Sequence, residues 1–192
     1  MSDSALVSQG LIIGLGAAAL VLIAIFAWLW WKRRRRSSIH DTLRAIAVER
    51  LENILLPDGM GGEIHIEHLL LTARGILVLN VKRYEGVVFA SDRMDQWTAI
   101  GPKGRSAFPN PLSALYDRVA AVRQLVRDVQ VEGFVVFPSL ADFSKGRPDD
   151  VRLPQDLLEA YAKPDKGDIG RLTEAFAPHW DRIRESAQPA SH

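Results

Sequence analysis

Two apolar runs separated by a glycine turn place the strongest restriction on the fold of this chain. The runs are Ile64–Thr72 and Ile76–Lys82, and Gly75 ends the short break between them. Short apolar runs bounded by turn residues are typical of buried strands, and a glycine can take the positive φ that many hairpin turns require. The sequence therefore predicts a β-hairpin, with its second strand too apolar to be an exposed edge.

Three polar residues of this hairpin are predicted to lie together. Side chains alternate along a strand, so Asn80 and Lys82 share one face. A turn at residues 73 and 74 places Glu67 roughly opposite Asn80. Polar groups inside an apolar sheet require partners or a ligand. Glu67, Asn80 and Lys82 are therefore the candidate functional residues.

The same stretch contains an acid followed by histidine and an apolar pair, Glu67-His68-Leu69-Leu70, then the turn glycine, and then Lys82-Arg83-Tyr84-Glu85-Gly86. With these motifs it resembles the nuclease-related domain (NERD) family, which is similar to the PD-(D/E)xK restriction-endonuclease-like nucleases. Trp97 and Asn110-Pro111-Leu112 extend the resemblance over roughly residues 40 to 160. The resemblance implies a catalytic role for Glu67, Asn80 and Lys82.

The resemblance also implies a Mg²⁺ site, because two carboxylates on neighbouring strands bind this oxygen-preferring cation in the related nucleases. Here Glu67 stands where the family usually has Asp, and Asn80 replaces the acid of E-x-K. The lost charge should weaken Mg²⁺ binding. In related nucleases an acid on the first helix often completes the site. Glu49 and Glu52 are the candidates, Glu49 being the predicted ligand; the alternative for both is a solvated surface charge.

An uncharged segment of 22 residues, Gly10–Trp31, precedes this region. It is long enough to cross a bilayer as a helix, and the basic run Lys32–Arg36 follows it at once. The positive-inside rule then places the N-terminus outside and the rest of the chain in the cytoplasm. Lys32–Arg36 is expected to contact anionic lipid. Gly10 and Gly14 form a GxxxG pattern, which allows self-association of the anchor.

The charge balance and the absence of cysteine narrow the function classes. All charged side chains before residue 37 belong to Asp3 and to the basic run at 32–36. Residues 37–192 contain 19 Lys and Arg against 22 Asp and Glu, which is a net charge of −3. The part that follows the anchor is therefore not a basic nucleic-acid binder by composition. A chain without cysteine has no disulfide framework and no thiolate metal site.

Periodicity predicts the remaining elements. One helix is expected over Ile39–Leu56 and another from Asn110-Pro111 to about Val129. Short strands are expected at 86–90, 97–100, 131–137 and 151–153, and further helices at 154–162 and 169–185. Residues 101–108 are predicted to be a loop. The tail from Ser186 is expected to be frayed.

These elements predict an α/β fold with a mixed central sheet flanked by helices, and the resemblance implies a restriction-endonuclease-like topology. The predicted organisation is an extracytoplasmic tail at 1–9, an anchor at 10–31, a basic stop at 32–37, a nuclease-related domain at 38–185 and a flexible tail at 186–192. Two functions remain open. One is a Mg²⁺-dependent nucleic-acid phosphodiesterase with a degenerate site at the cytoplasmic membrane. The other is an inactive membrane-tethered binding or scaffold module.

Overall fold

The predicted hairpin lies at the centre of a mixed sheet. The computed structural model describes the backbone at residues 39–138, 140–161 and 166–190, and the side chains there except at 166–168, 172 and 173. The first half contains α1 (Ile39–Ile46), β1 (Glu49–Pro57), β2 (Glu63–Thr72), β3 (Gly75–Val81), β4 (Gly86–Phe89), β5 (Gln96–Gly101) and β6 (Gly104–Pro109). The second half contains α2 (Leu112–Leu125), β7 (Val131–Val136), β8 (Ala141–Asp142), β9 (Val151–Arg152), α3 (Pro154–Ala160), α4 (Lys166–Ser186) and β10 (Gln188–Pro189).

The described strands form two sheets. The larger has the order β10-β1-β2-β3-β7-β9, antiparallel from β10 to β3 and parallel from β3 to β9. The smaller has the order β6-β5-β4-β8. The predicted mixed α/β architecture is confirmed. The division of the strands into two sheets was not predicted.

Helices cover both faces of the larger sheet because its central strands are apolar on both sides. On one face, Ile76 and Val78 of β3 belong to the same core as Leu115 and Val119 of α2. On the other face, a second core unites β3 with α1 and α3; it contains Leu43, Ile46, Leu77, Leu79, Leu157 and Tyr161. Side chains alternate along β3, so residues with even numbers face α2 and residues with odd numbers face α1 and α3.

The hairpin turn has the predicted geometry. Thr72 pairs with Gly75 across a two-residue turn, and the Thr72 hydroxyl donates to the Gly75 carbonyl oxygen at 2.9 Å. Gly75 has φ +121°, a conformation that side chains with a Cβ rarely adopt. A Cβ at this position would also overlap the carbonyl oxygen of Gln130. Both the dihedral angle and the close approach require glycine here.

Gly75→Ala is therefore expected to lower the free energy of unfolding by about 2–4 kcal/mol, from backbone strain plus the overlap with Gln130. Gly146→Ala is the matched control, because Gly146 has a similar φ of +118° and no atom lies within 4 Å of where a Cβ at this residue would lie. Chemical denaturation of both variants measures the difference. Equal losses in the two variants would contradict the predicted overlap.

The predicted first helix is too long. The helix ends at Ile46, and Glu49–Pro57 is a strand that pairs with β2 from Glu49 opposite Leu71 to Pro57 opposite Glu63. Ile54 and Leu56 are buried while Leu55 between them is only partly buried. This is a period of 2, and the apolar run at 54–56 fits either period when read alone. Pairing with β2 decides the conformation.

Two further predictions were wrong for the same reason, since strand pairing orders segments with weak local signals. Gly104–Pro109, predicted as part of a loop, is β6 and pairs with β5 along its length. The predicted frayed tail contains β10, in which Gln188 and Pro189 pair with Leu55 and Ile54. The other predicted strands and helices are present, with ends shifted by a few residues.

The predicted transmembrane helix at 10–31 and the basic run Lys32–Arg36 lie outside the described residues. Among the helices of the described ranges, none is both long enough and apolar enough to cross a membrane.

Candidate functional site

Strands β2 and β3 separate at Glu67, and this separation creates the site. The last antiparallel pair of the two strands is His68 with Leu79, so Glu67 and Asn80 follow it as the next opposed residues. The Glu67 carboxylate fills the gap, because its Oε2 accepts the backbone N–H of Val81 at 2.8 Å. One oxygen of Glu67 is thereby fixed at the point where the two strands diverge.

A bend in the β1–β2 pair accompanies this separation. Asn53 has φ +53°, unusual for a residue with a Cβ. Leu51 and Ile54 pack against the same core although they are three residues apart, and so do Ile66 and Leu69 on β2. In a straight strand residues three apart point to opposite faces. Glu67 therefore lies within the bent part of β2.

Asn80 is a buried polar residue on the α2 face of the sheet. It has an even number in β3, like Ile76 and Val78, and only 8% of its surface is exposed. Its Oδ1 is buried and has no hydrogen-bond partner among the described residues. An unsatisfied buried carbonyl oxygen costs free energy, on the order of 1–3 kcal/mol, unless a ligand satisfies it. Asn80 therefore presents an unused oxygen beside Glu67.

Lys82 continues the same face of the chain just after β3. Its backbone N–H donates to Val136 at 2.8 Å, which holds the residue beside β7. Partial burial lowers the pKa of its ammonium, and the Glu67 carboxylate opposes that shift. Among the described residues no carboxylate lies within 4.0 Å of the Lys82 ammonium. The lysine is thus a partly desolvated cation without a direct ion-pair partner there.

Arg118 of α2 joins these three residues, and sequence reasoning missed it. The sequence pattern groups it with Arg123 and Arg127 as part of a solvated helix face. Its Nε donates to the His65 carbonyl oxygen at 2.7 Å and a terminal nitrogen donates to that of Ala114 at 2.8 Å. Burial lowers the pKa of the guanidinium, and Glu67 is the carboxylate that opposes this most.

A sequence signal for Arg118 did exist. The residue stands three positions after Leu115 and four before Val122, and both of these apolar side chains are fully buried. Residues at these spacings share one face of a helix, so Arg118 lies on the same side of α2 as the buried Leu115 and Val122 rather than on the opposite side.

Glu67, Asn80, Lys82 and Arg118 are called the β2–β3 site below. It contains one carboxylate, one unsatisfied amide oxygen and two partly buried cations, so its formal charge is +1. The positive charge of Arg118 lowers the pKa of Lys82 further, in addition to the larger effect of burial. Such a site favours an anion that accepts several hydrogen bonds, which is the chemistry of a phosphate group.

The oxygen atoms of the β2–β3 site fit a weakly held Mg²⁺. Glu67 Oε1 and the buried, unsatisfied Asn80 Oδ1 are the two oxygens that would hold the ion, and Mg²⁺ often binds through one or two protein oxygens with water and substrate phosphate completing its shell. No cluster of three or more His, Asp or Glu side chains suited to a metal occurs in the described part of the chain. Only one of the two ligands carries a charge.

His68 lies behind Glu67 and is almost fully buried. Its Nε2 is 3.9 Å from Glu67 Oε1, and its Nδ1 is 3.6 Å from an oxygen of Glu52 on β1. Burial lowers the pKa of the imidazole, although both carboxylates oppose that shift. The other histidine of the strand, His65, contacts Asn53 at 2.6 Å instead. The structure does not bring the two histidines together.

Glu49 lies away from the β2–β3 site. Glu49 pairs with Leu71 of β2, and Leu71 is four residues after Glu67 on the same strand. At the usual rise of a strand, this separates Leu71 from Glu67 by roughly 13 Å. Glu49 Oε2 accepts the indole N–H of Trp180 at 2.8 Å and a guanidinium N–H of Arg184 at 2.5 Å. These contacts attach α4 to β1, and the structure does not bring Glu49 together with Glu67 and Asn80.

Glu49→Ala is expected to lower the free energy of unfolding by about 1–3 kcal/mol, because the indole N–H of the buried Trp180 loses its acceptor. Glu49→Gln keeps an oxygen acceptor and should cost less than half as much. Thermal denaturation and Mg²⁺ titration of both variants provide the test. A loss of Mg²⁺ affinity without a loss of stability would show that Glu49 is a metal ligand instead.

The fold and the site define a class: a mixed α/β domain with a polar site where two central strands diverge. The nuclease-related domain (NERD) family model matches residues 37–138, just over half of the chain, and the protein belongs to this family. A segment of 76 residues is 28% identical to an uncharacterized protein of Bacillus anthracis. That match covers 40% of this chain and 36% of the relative, so the chain spans about a third of the curated relative's length. No solved structure matches the chain.

Proposed function

We propose that this protein is a nuclease-related domain, anchored in the membrane and facing the cytoplasm, that binds nucleic-acid phosphodiesters at the β2–β3 site. The observation that carries the proposal is the pairing of two partly buried cations, Lys82 and Arg118, with a single carboxylate. A bound phosphodiester would supply the anion that these cations lack and would accept their remaining N–H groups. Membership of the nuclease-related family supports nucleic acid as the source of that phosphate.

The arrangement of Arg118 supports binding in a fixed orientation. Two of its five N–H groups are held by main-chain carbonyl oxygens of β2 and α2, so the guanidinium is oriented before a ligand arrives. Lys82 adds a point charge that has already lost part of its water. Preorganised and partly desolvated cations bind an anion at a lower cost than mobile surface cations.

The net charge of −3 over residues 37–192 sets a limit on this proposal. A strongly basic surface supplies most of the nonspecific affinity of ordinary nucleic-acid binders, and this chain does not have one by composition. Binding is therefore expected to be local, to depend on Lys82 and Arg118, and to be moderate in affinity.

Mg²⁺-dependent phosphodiester hydrolysis is the second candidate function, and the unsatisfied Oδ1 of Asn80 beside Glu67 favours it. Glu67 and Asn80 would hold the ion, which would polarise the phosphate and lower the pKa of a bound water. Lys82 would orient that water or stabilise the negative charge that develops on phosphorus. With one carboxylate fewer than the family pattern, metal affinity and rate are expected to be low.

The membrane part of the proposal rests on the sequence of residues 10–36. The uncharged segment Gly10–Trp31 and the basic run Lys32–Arg36 support a single-pass anchor with the N-terminus outside and lipid contact on the cytoplasmic side. Self-association through Gly10 and Gly14 belongs to the same proposal. A restriction-endonuclease-like topology is likewise proposed from the family resemblance, supported by the mixed sheet.

The test uses the full chain in detergent, incubated with single-stranded DNA, duplex DNA and RNA in Mg²⁺, Mn²⁺ or EDTA. Binding in EDTA that is lost in Lys82→Ala supports the binding function. Metal-dependent cleavage that is lost in the same variant supports the hydrolytic function. A folded protein that neither binds nor cleaves any of the three would contradict both and would point to a scaffold for proteins.

A further inference from the structure

A cleft of about 360 Å³ begins one residue after Lys82. It lies between the β3–β4 connection and the β5–β6 hairpin. The polar and aromatic residues that line it are Arg83, Tyr84, Glu85, Lys103 and Ser106, and the small or apolar ones are Ala99, Gly101, Pro102 and Gly104. Arg83, the first lining residue, directly follows Lys82, and their Cα atoms are about 3.8 Å apart across the peptide bond.

The cations of this cleft are free to meet a ligand. Arg83 and Lys103 are exposed, and neither has an ion pair or a side-chain hydrogen bond with another residue in the described ranges. Glu85 is the one carboxylate among the lining residues, so the lining carries a formal charge of +1. Arg105 stands next to the hairpin tip and is also exposed.

The cleft has a rigid wall because of an aromatic stack. The Tyr84 ring lies parallel to Phe108 of β6, with centroids 4.0 Å apart and planes within 7°. Phe108 in turn contacts the buried Trp97. The chain segment that carries Arg83 is thereby held against the smaller sheet. The opposite side of the cleft is the tip of the β5–β6 hairpin. No atom lies within 4 Å of the position that a Cβ at Gly104 would occupy, so this tip is open.

We propose that this cleft is a second phosphate subsite, which takes a neighbouring phosphate of a polynucleotide strand whose first phosphate occupies the β2–β3 site. The inference rests on the proposed function and makes it more specific, since it selects a polynucleotide over a single phosphodiester. Arg83 and Lys103 contact the second phosphate, and Tyr84 borders the space that the intervening nucleotide occupies. Glu85 opposes binding and limits its strength.

The experiment measures binding of a fluorescent ten-residue oligothymidylate by the full chain in detergent, in EDTA, over a range of salt concentrations. Loss of the second phosphate contact lowers the slope of log K against log salt by about 0.7 for a single strand. The double variant Arg83→Ala/Lys103→Ala, which removes both cations from that one phosphate, is therefore expected to bind roughly fivefold more weakly in 0.1 M salt. Glu85→Gln is expected to bind more tightly than the natural chain.

Arg127→Ala/Lys145→Ala is the charge-matched control pair. Both residues are exposed, and neither lines the cleft. This control is expected to change the affinity less than twofold. Because Arg83, Lys103 and Glu85 are exposed, all variants should retain the melting temperature of the natural chain.

A dinucleotide with a single phosphodiester, followed by NMR, is the second ligand. It fills the β2–β3 site alone, so its affinity should be unchanged by Arg83→Ala/Lys103→Ala.

Two results overturn the proposal and differ in meaning. If the oligonucleotide binds, and Lys82→Met weakens it while Arg83→Ala/Lys103→Ala has only the effect of the control pair, the second subsite is absent and the proposed function stands. If the natural chain does not bind the oligonucleotide at all, the proposed function fails, and the second subsite fails with it.

Discussion

The double substitution Lys82→Met/Arg118→Met is expected to weaken oligonucleotide binding roughly 30-fold or more in 0.1 M salt, since two phosphate contacts are lost from a partly desolvated site. Methionine approximates the length and apolar stem of both side chains, so packing against the sheet is largely kept. Fluorescence anisotropy in EDTA measures the effect. Arg127→Met/Lys145→Met is the control for a simple change in net charge, and it should bind within twofold of the natural chain.

The same variants separate a binding role of Lys82 from a structural one. Burial lowers the pKa of Lys82, so the folded chain holds this proton less tightly than the unfolded chain. The charge therefore opposes folding below the folded-state pKa, and this penalty disappears as the pH rises above it. Lys82→Met removes the penalty, and its melting temperature at pH 7 should equal or exceed that of the natural chain. A clear decrease would indicate that Lys82 and Glu67 are a stabilising pair.

Asn80→Asp is expected to tighten Mg²⁺ binding on the order of tenfold or more, because it restores a second carboxylate beside Glu67. Isothermal titration calorimetry measures this directly, and Asn80→Glu provides a longer arm if the aspartate falls short of the ion. In EDTA the same substitution adds a negative charge to the site. Oligonucleotide affinity without metal should then fall about fivefold in 0.1 M salt.

Asn80→Leu is the control for the loss of the amide without a gain of charge. It removes the unsatisfied Oδ1 and should abolish Mg²⁺ binding at this site. If neither Asn80→Asp nor Asn80→Glu binds Mg²⁺ more tightly than the natural chain, Glu67 and residue 80 do not share a metal site. If Asn80→Asp gains Mg²⁺-dependent cleavage, the natural residue is what limits hydrolysis in this protein.

The hairpin and the three polar residues on it could be predicted from the sequence because the signals are local. Gly75 fixes the turn, and period-2 alternation then aligns Glu67 with Asn80. The hydrogen bond from Val81 N–H to Glu67 could not be predicted, since it depends on β2 and β3 separating at this residue. That separation accompanies the bend at Asn53, and the sequence around Asn53 is compatible with a helix.

Arg118 and β10 show two different limits of local patterns. Arg118 lies at helix positions that favour the buried face, but an arginine on a helix is usually solvated, and only its contact with His65 on β2 places it in the site. Gln188 and Pro189 have no strand signal of their own, and pairing with β1 orders them. The family resemblance implied Glu49 as a metal ligand, an acid on the predicted first helix. Its contacts with Trp180 and Arg184 come from a helix more than a hundred residues later in the chain.

The measurement that tests phosphodiester binding at the β2–β3 site most directly is an NMR titration of the full chain with oligothymidylate in EDTA. Two signals report on the site: the backbone N–H of Val81, which donates to Glu67, and the side-chain amide of Asn80. Both are expected to shift and to saturate at the dissociation constant measured by anisotropy, and both shifts should vanish in Lys82→Met/Arg118→Met. Saturable binding that leaves both signals unchanged would place the nucleic acid elsewhere on the protein and would contradict the proposed site.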